Sequence, residues 1–76
     1  GEIDLIARDK DTLVFVEVKY RPKGQMGDGA AFVTRQKKCH IIRAACHYLA
    51  AHPSPMYRFD VVEITAAGVR HIQNAF

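Results

Sequence analysis

The sequence contains no long hydrophobic run and only two cysteines. No stretch approaches the ~20 apolar residues of a membrane-spanning helix, and the layout of a secretory signal is absent. Cys39 and Cys46 lie seven positions apart in a helical pattern, about 10 Å along the helix axis, which is too far for a disulfide. We therefore expect a cytoplasmic protein without a membrane segment, in which both cysteines are buried and reduced.

Acidic residues are scarce in the middle of the chain. Between residues 19 and 43 the only acid is Asp28. Clustered cations gain binding free energy by displacing counter-ions from phosphate groups, so the pattern favours a polyanionic partner; a solvated helix face is the alternative. The seven cations of this region are Lys19, Arg21, Lys23, Arg35, Lys37, Lys38 and Arg43.

The length of 76 residues predicts one small domain spanning residues 1–76. The chain starts inside a strand pattern and has no initiator methionine. We interpret it as an N-terminally truncated fragment of a longer protein.

Two alternating runs predict a β-hairpin with polar groups on one face. Residues 1–9 and 13–21 are the expected strands, joined by a polar turn. Glu2 and Asp4 share one face of the first strand, with Ile3 and Leu5 on the other. Glu17 and Lys19 share one face of the second. Pairing of the strands would bring Asp4 close to Glu17 and Lys19.

The remaining pattern predicts a helix and two further strands. Pro22 ends the second strand, and the glycine-containing residues 22–32 are expected to form a mobile loop. Thr34 is the expected N-cap of a helix over residues 35–51. Strands are predicted over residues 57–64 and 69–72. The order β-β-α-β-β indicates an α/β domain with a mixed sheet and one helix packed on a face.

The predicted helix is amphipathic, but its first turn breaks the pattern. Arg35 and Lys38 fall within the apolar arc and oppose the helix dipole, so either the hairpin carboxylates or a bound phosphate is expected near this end, unless both side chains extend into solvent. The residues expected on the solvent-facing side of the helix are Gln36, His40, Arg43 and His47. The expected apolar arc is Ile41, Ile42, Ala45, Cys46, Tyr48 and Leu49.

The hairpin face has the residue types that metal-dependent phosphodiester cleavage requires. Mg²⁺ binds oxygen ligands, and Asp4, Glu17 and the carbonyl of Val18 could supply them. Lys19 could orient the attacking water or stabilise developing charge. A cross-strand salt bridge between Lys19 and Asp4 or Glu2 is the competing interpretation.

The histidines and cysteines do not have the spacing of a zinc site or of a Cys–His nucleophile. His52 and His71 have no evident partner in the sequence, so both are expected to be surface residues.

The segments Gly1–Ala7 and Val14–Arg21 together resemble the core motif of the PD-(D/E)XK nuclease superfamily, in which an aspartate is followed one strand later by Glu-x-Lys. The chain more narrowly resembles the YraN-like family of small bacterial proteins, which are regarded as predicted endonucleases akin to archaeal Holliday junction resolvases. Residues 31–37, 58–62 and 74–76 also fit this family.

The resemblance implies a restriction-endonuclease-like fold and a site that uses Mg²⁺ or Mn²⁺. It makes Asp4 and Glu17 metal ligands and Lys19 the catalytic lysine, gives Glu2 an accessory place in the motif, and leaves Asp60 as a structural residue. Related nucleases place a glutamate-bearing helix and a first strand before the point where this chain begins. The residues expected to contact nucleic acid are Arg21, Lys23, Arg35, Lys37 and Lys38.

The implied activity is hydrolysis of DNA, with branched DNA as one substrate and a homodimer as one arrangement, because resolvase relatives act as dimers on symmetric junctions. Two other functions remain open. One is a non-catalytic nucleic-acid-binding module whose acidic face is vestigial, and the other is a structural partner domain without affinity for DNA.

Overall fold

The computed structural model describes residues 3–23 and 33–76 of the chain. The described residues form strands β1 (Leu5–Asp9) and β2 (Thr12–Arg21), helix α1 (Arg35–Ala51), and strands β3 (Met56–Thr65) and β4 (Gly68–Ile72). The predicted order β-β-α-β-β is therefore confirmed, and the predicted helix bounds agree with the observed ones. Gly1, Glu2 and the greater part of the predicted loop, residues 24–32, lie outside the described residues.

The strands form one mixed sheet in the order β1-β2-β3-β4. β1 pairs antiparallel with β2, β2 pairs parallel with β3, and β3 pairs antiparallel with β4. Helix α1 makes the crossover between the two parallel strands, as parallel pairing requires. This is the mixed α/β architecture that the sequence predicted.

The helix begins at its predicted cap. Thr34 has an extended backbone, and its side-chain oxygen accepts a hydrogen bond from the Lys37 amide at 3.2 Å. The residues predicted on the solvent-facing side of the helix are exposed, as expected. Ile41 and Ala45 are buried against the sheet.

The predicted apolar arc of the helix was too broad. Ile42 is exposed, and so are both cysteines, so the expectation that Cys39 and Cys46 are buried was wrong. A helix lying on a sheet buries only the stripe that touches it, and these three side chains lie beside that stripe.

The core lies between α1 and one face of the sheet. Phe15 is fully buried and stacks on Phe59, with ring centroids 5.5 Å apart; Tyr48 of the helix meets Phe15 edge-on. Phe59 in turn stacks on Phe76. Leu13, Val33, Ile41, Ala45 and Val61 complete the buried part of this core.

The first strand is shorter than predicted. β1 begins at Leu5, and Asp4 forms a bend before it. Ile3 packs in the core beneath the helix, whereas Leu5 is exposed, so the expectation that Ile3 and Leu5 share a face was wrong. The alternation fails because the strand geometry that produces it has not yet started at Ile3.

The other face of the sheet carries a buried carboxylate. Asp60 is fully buried and accepts hydrogen bonds from Arg58 Nε at 3.1 and 3.2 Å and from the Asn74 amide at 3.1 Å. His71 Nε2 lies 2.7 Å from the same carboxylate, and Arg58 also pairs with Asp9 at 3.1 Å. Both histidines are exposed, as expected, but His71 has a partner in Asp60. His52 also has a partner, because its ring stacks on Tyr48.

No helix among the described residues is both long enough and apolar enough to cross a membrane.

Candidate active site

Asp4 is held at the end of the hairpin by the backbone of the neighbouring strand. Its Oδ2 accepts a hydrogen bond from the Val18 amide at 2.9 Å. Leu5 pairs with Val16, so the position before β1 faces Glu17. The carboxylate therefore takes the place of a main-chain acceptor where the β1–β2 ladder stops, and it lies beside Glu17, as the hairpin prediction required.

Glu17 is a buried carboxylate placed between two ammonium groups. Its Oε2 lies 3.1 Å from Lys19 Nζ and 2.7 Å from Lys37 Nζ, while the Glu17 side chain is only 3% exposed. Lys19 forms an ion pair with Glu17 on its own strand, and the alternative of a pair with Glu2 lies outside the described residues. The acid expected near the first turn of α1 is Glu17, and it meets Lys37 rather than Arg35 or Lys38.

The charges around this site shift the ionisation of three groups. Burial raises the pKa of Asp4, but the Val18 amide, the contact with Glu17 and the two lysines together bring it below its ordinary value. Burial and the neighbouring Lys37 ammonium lower the pKa of Lys19, although Glu17 opposes both. The ion pair with Glu17 raises the pKa of Lys37. Of the two lysines, Lys37 therefore holds its proton to the higher pH.

The donor set fits a hard divalent cation. Glu17 Oε2 is a buried anionic oxygen that already attracts two cations, the ammonium groups of Lys19 at 3.1 Å and of Lys37 at 2.7 Å. The amide and carbonyl of a paired strand residue point to the same side, so the Val18 carbonyl faces the edge where Asp4 lies. The part of the chain that the structure describes contains no group of three or more Asp, Glu, His or Cys side chains suited to a metal. Two carboxylates, a carbonyl, water and a phosphate suffice for Mg²⁺.

The other predicted nucleic-acid contacts are spread around the first helical turn and the end of β2. Lys23 and Arg35 are exposed, and Arg21 is half-buried. Lys38 is half-buried at the edge of the core, with its Nζ 5.5 Å from the centre of the Phe76 ring. Glu2, the proposed accessory acid, lies outside the described residues.

Sequence reasoning missed one acidic residue on this face. Glu63 pairs in register with Lys19 on the adjacent strand and is fully buried. The signal was present, because Phe59, Val61 and Glu63 alternate along one strand and the first two are apolar. This alternation did not lead to a prediction that Glu63 is buried, because a single glutamate at a strand end is ordinarily a solvent-facing residue.

Sequence comparisons match the chain to one family of proteins. A model described as "Uncharacterised protein family UPF0102" matches residues 1–64. A UPF0102 protein of Saccharophagus degradans is 47% identical over 79 residues, which cover 100% of this chain and 67% of that protein. A UPF0102 protein of Aeromonas hydrophila is 49% identical over 80 residues, covering 100% of this chain and 62% of the relative.

A third UPF0102 protein, from Photorhabdus laumondii, is 42% identical over 80 residues that cover 100% of this chain and 64% of the relative. The chain thus spans somewhat under two thirds of the length of two of these three relatives. The match over most of its residues shows that the chain belongs to the UPF0102 family.

Proposed function

We propose that this protein is a metal-dependent endonuclease that hydrolyses DNA phosphodiester bonds with Mg²⁺ or Mn²⁺. The observation that carries the proposal is the meeting of Asp4, Glu17 and Lys19 at one edge of the sheet, around a buried carboxylate oxygen that attracts cations. The resemblance of the two hairpin strands to the PD-(D/E)XK motif supports the same reaction.

Asp4, Glu17 and the Val18 carbonyl would hold the cation. When bound, the metal would lower the pKa of a water molecule and neutralise charge on the scissile phosphate. Burial of Glu17 keeps its carboxylate in a region of weak solvent screening, and the Val18 amide fixes the direction of Asp4.

Lys19 would act next to the reacting phosphate. Its ammonium is held at 3.1 Å from Glu17, and its side chain is 17% exposed, so it has limited freedom to move. A positive charge fixed in advance stabilises the negative charge that develops on the phosphoryl oxygens in the transition state. Lys23 and Arg35, which are exposed, would add contacts to the DNA backbone.

The proposal is tested with the full-length protein on plasmid DNA and on a four-way junction, each with Mn²⁺ and with EDTA. We expect cleavage that requires the metal and that falls by at least about 100-fold in Glu17→Gln and in Lys19→Met, the loss typical for a preorganised transition-state contact. Asp9→Asn is the matched control, because this carboxylate is half-exposed and lies on the other face of the sheet. Wild-type protein that leaves both substrates intact, or Glu17→Gln that cleaves at the wild-type rate, would refute the proposal.

The second candidate is a nucleic-acid-binding module without catalysis. The observation that favours it is the ion pair between Lys37 and Glu17, which leaves the carboxylate neutralised by the protein itself. In that case the wild-type protein would bind DNA in a salt-dependent manner without cleaving it. Glu17→Ala would then keep its affinity or bind more tightly, because a negative charge has been removed.

A further inference from the structure

We propose that Lys37 is an internal counter-ion: its ammonium group occupies the position of the divalent cation beside Glu17 in the free protein and moves away from Glu17 when a DNA phosphate binds. The proposal rests on the proposed function, since it takes Asp4 and Glu17 as the cation site. Its consequence is that metal and DNA bind cooperatively, with the metal binding weakly to the protein alone.

The first step is that Lys37 and a metal compete for one oxygen atom. Lys37 Nζ lies 2.7 Å from Glu17 Oε2, and Lys19 Nζ lies 3.1 Å from the same buried oxygen. Mg²⁺ would bind such an oxygen at about 2.0–2.1 Å. A divalent cation on this oxygen would join two ammonium groups already there, and three positive groups around one atom repel each other strongly where burial limits screening by water. A metal bound to Glu17 is therefore incompatible with the observed position of Lys37.

The second step is that Lys37, and not Lys19, is the lysine that can move. The Lys19 side chain is 17% exposed and extends from the interior of the sheet, whereas the Lys37 side chain is 43% exposed. The backbone of Lys37 is fixed by the Thr34 cap, so only its flexible side chain has to swing. An open groove of about 170 Å³ lies beside it, lined by Thr34, Gln36, Lys37 and His40.

The third step is that phosphate is the group that stabilises Lys37 after it leaves Glu17. The first turn of the helix contains no acidic residue, so the displaced ammonium finds no carboxylate there. Arg35 is exposed on the same turn and adds positive charge. A phosphate group would pair with the ammonium and so compensate for the lost contact with Glu17. By linkage, whatever draws Lys37 away from Glu17 raises the affinity for metal.

The test is calorimetric titration of Mn²⁺ into the full-length protein, with and without a short duplex that carries non-cleavable phosphorothioate linkages. For the wild type we expect the Kd for Mn²⁺ to fall by about tenfold or more when the duplex is present, within the usual range of coupled sites. Lys37→Met removes the charge and keeps the length of the side chain. We expect it to bind Mn²⁺ about tenfold more tightly than the wild type without DNA, and to lose the effect of the duplex.

The matched control is Lys10→Met, which makes the same substitution at an exposed lysine in the turn between β1 and β2, at the other end of the hairpin from Asp4. It should bind Mn²⁺ as the wild type does. A Lys37→Met protein whose Kd for Mn²⁺ equals or exceeds the wild-type value would overturn the proposal. If Lys37→Met does not fold, the wild-type titrations decide, since equal Mn²⁺ affinity with and without the duplex overturns it as well.

Glu17→Gln separates this proposal from the one on which it rests. If Glu17→Gln abolishes Mn²⁺ binding while Lys37→Met leaves it unchanged, the metal site stands and the counter-ion role of Lys37 is refuted. If Mn²⁺ binds equally well to Glu17→Gln, or does not bind to any of the proteins with or without the duplex, the metal site itself is refuted.

Discussion

Replacing Asp60 by asparagine tests the role of the buried carboxylate on the face opposite the helix. Asp60 receives the guanidinium of Arg58, the ring nitrogen of His71 at 2.7 Å and the amide of Asn74 at 3.1 Å. Asparagine has the same shape, but it carries no charge and replaces one acceptor oxygen with an amide that can only donate. It therefore leaves at least one buried donor without an acceptor.

The expected loss is large relative to the stability of so small a domain. Removing one partner of a buried ion pair costs about 3–5 kcal/mol. A domain of this length has a free energy of unfolding of roughly 4–11 kcal/mol, taking about 0.05–0.15 kcal/mol per residue. Arg58 retains its contact with Asp9, so we expect a loss near the lower limit, about 3 kcal/mol.

Urea denaturation followed by circular dichroism at pH 7 measures this loss. With a slope of about 1 kcal/mol per molar urea, the midpoint should fall by roughly 3 M, and a weakly stable protein would be unfolded before any urea is added. Asp9→Asn is the control, because it breaks a half-exposed ion pair whose loss costs less than about 1 kcal/mol. The reasoning is refuted if Asp60→Asn lies within about 0.5 kcal/mol of the wild type, or if both variants lose the same amount.

The same carboxylate predicts sensitivity to acid. Burial raises the pKa of Asp60, but hydrogen bonds from Arg58, His71 and the Asn74 amide bring it below its ordinary value. A lowered pKa in the folded state stabilises the protein above the unfolded pKa of about 3.9, and this contribution is lost as the pH falls through the folded value. The difference in unfolding free energy between wild type and Asp60→Asn should therefore narrow below about pH 4. A difference that is the same at pH 7 and pH 3 would contradict this assignment.

Three further predictions concern the core, the helix cap and the cysteines. Phe15→Ala should lower the free energy of unfolding by about 3–5 kcal/mol in urea titrations, because Phe15 is 1% exposed, whereas Tyr20→Ala, at a position 70% exposed, should leave it nearly unchanged. Thr34→Ala should cost about 1 kcal/mol through loss of its cap hydrogen bond, and Thr34→Ser should restore most of this loss. Cys39 and Cys46 are exposed and should both react with a thiol reagent in the native protein; a thiol that reacts only after unfolding would contradict this prediction.

The hairpin and the helix could be predicted because their signals are local. Alternation along residues 13–21 assigns Phe15 and Glu17 to one face, and the cap at Thr34 marks the helix start; the structure agrees on both points. The proximity of Asp4 to Glu17 followed from the register of a short hairpin, which leaves little freedom.

The wrong predictions concern burial and side-chain partners, which depend on residues far away in the sequence, whereas the patterns used to predict them are local. The broad apolar arc could not reveal that Ile42 and Cys46 lie beside the buried stripe, because the width of that stripe depends on the sheet beneath the helix. The contact between His71 and Asp60 could not be predicted from the sequence for a similar reason. Asp60 lies on another strand, and only the pairing of β3 with β4 brings the two side chains together.

The sequence by itself determined the order of the elements, the faces of the strands and the residue types at the end of the hairpin, because backbone periodicity and capping act over a few residues. Only the tertiary structure decided that Lys37 reaches Glu17, since the helix must dock on the sheet before its first turn meets β2. Glu17 is buried in the packed fold, so its carboxylate interacts more strongly with neighbouring charges than it would in solvent. The sequence thus predicts which residue types form the candidate site, whereas the packing of the helix on the sheet determines which of their charges pair.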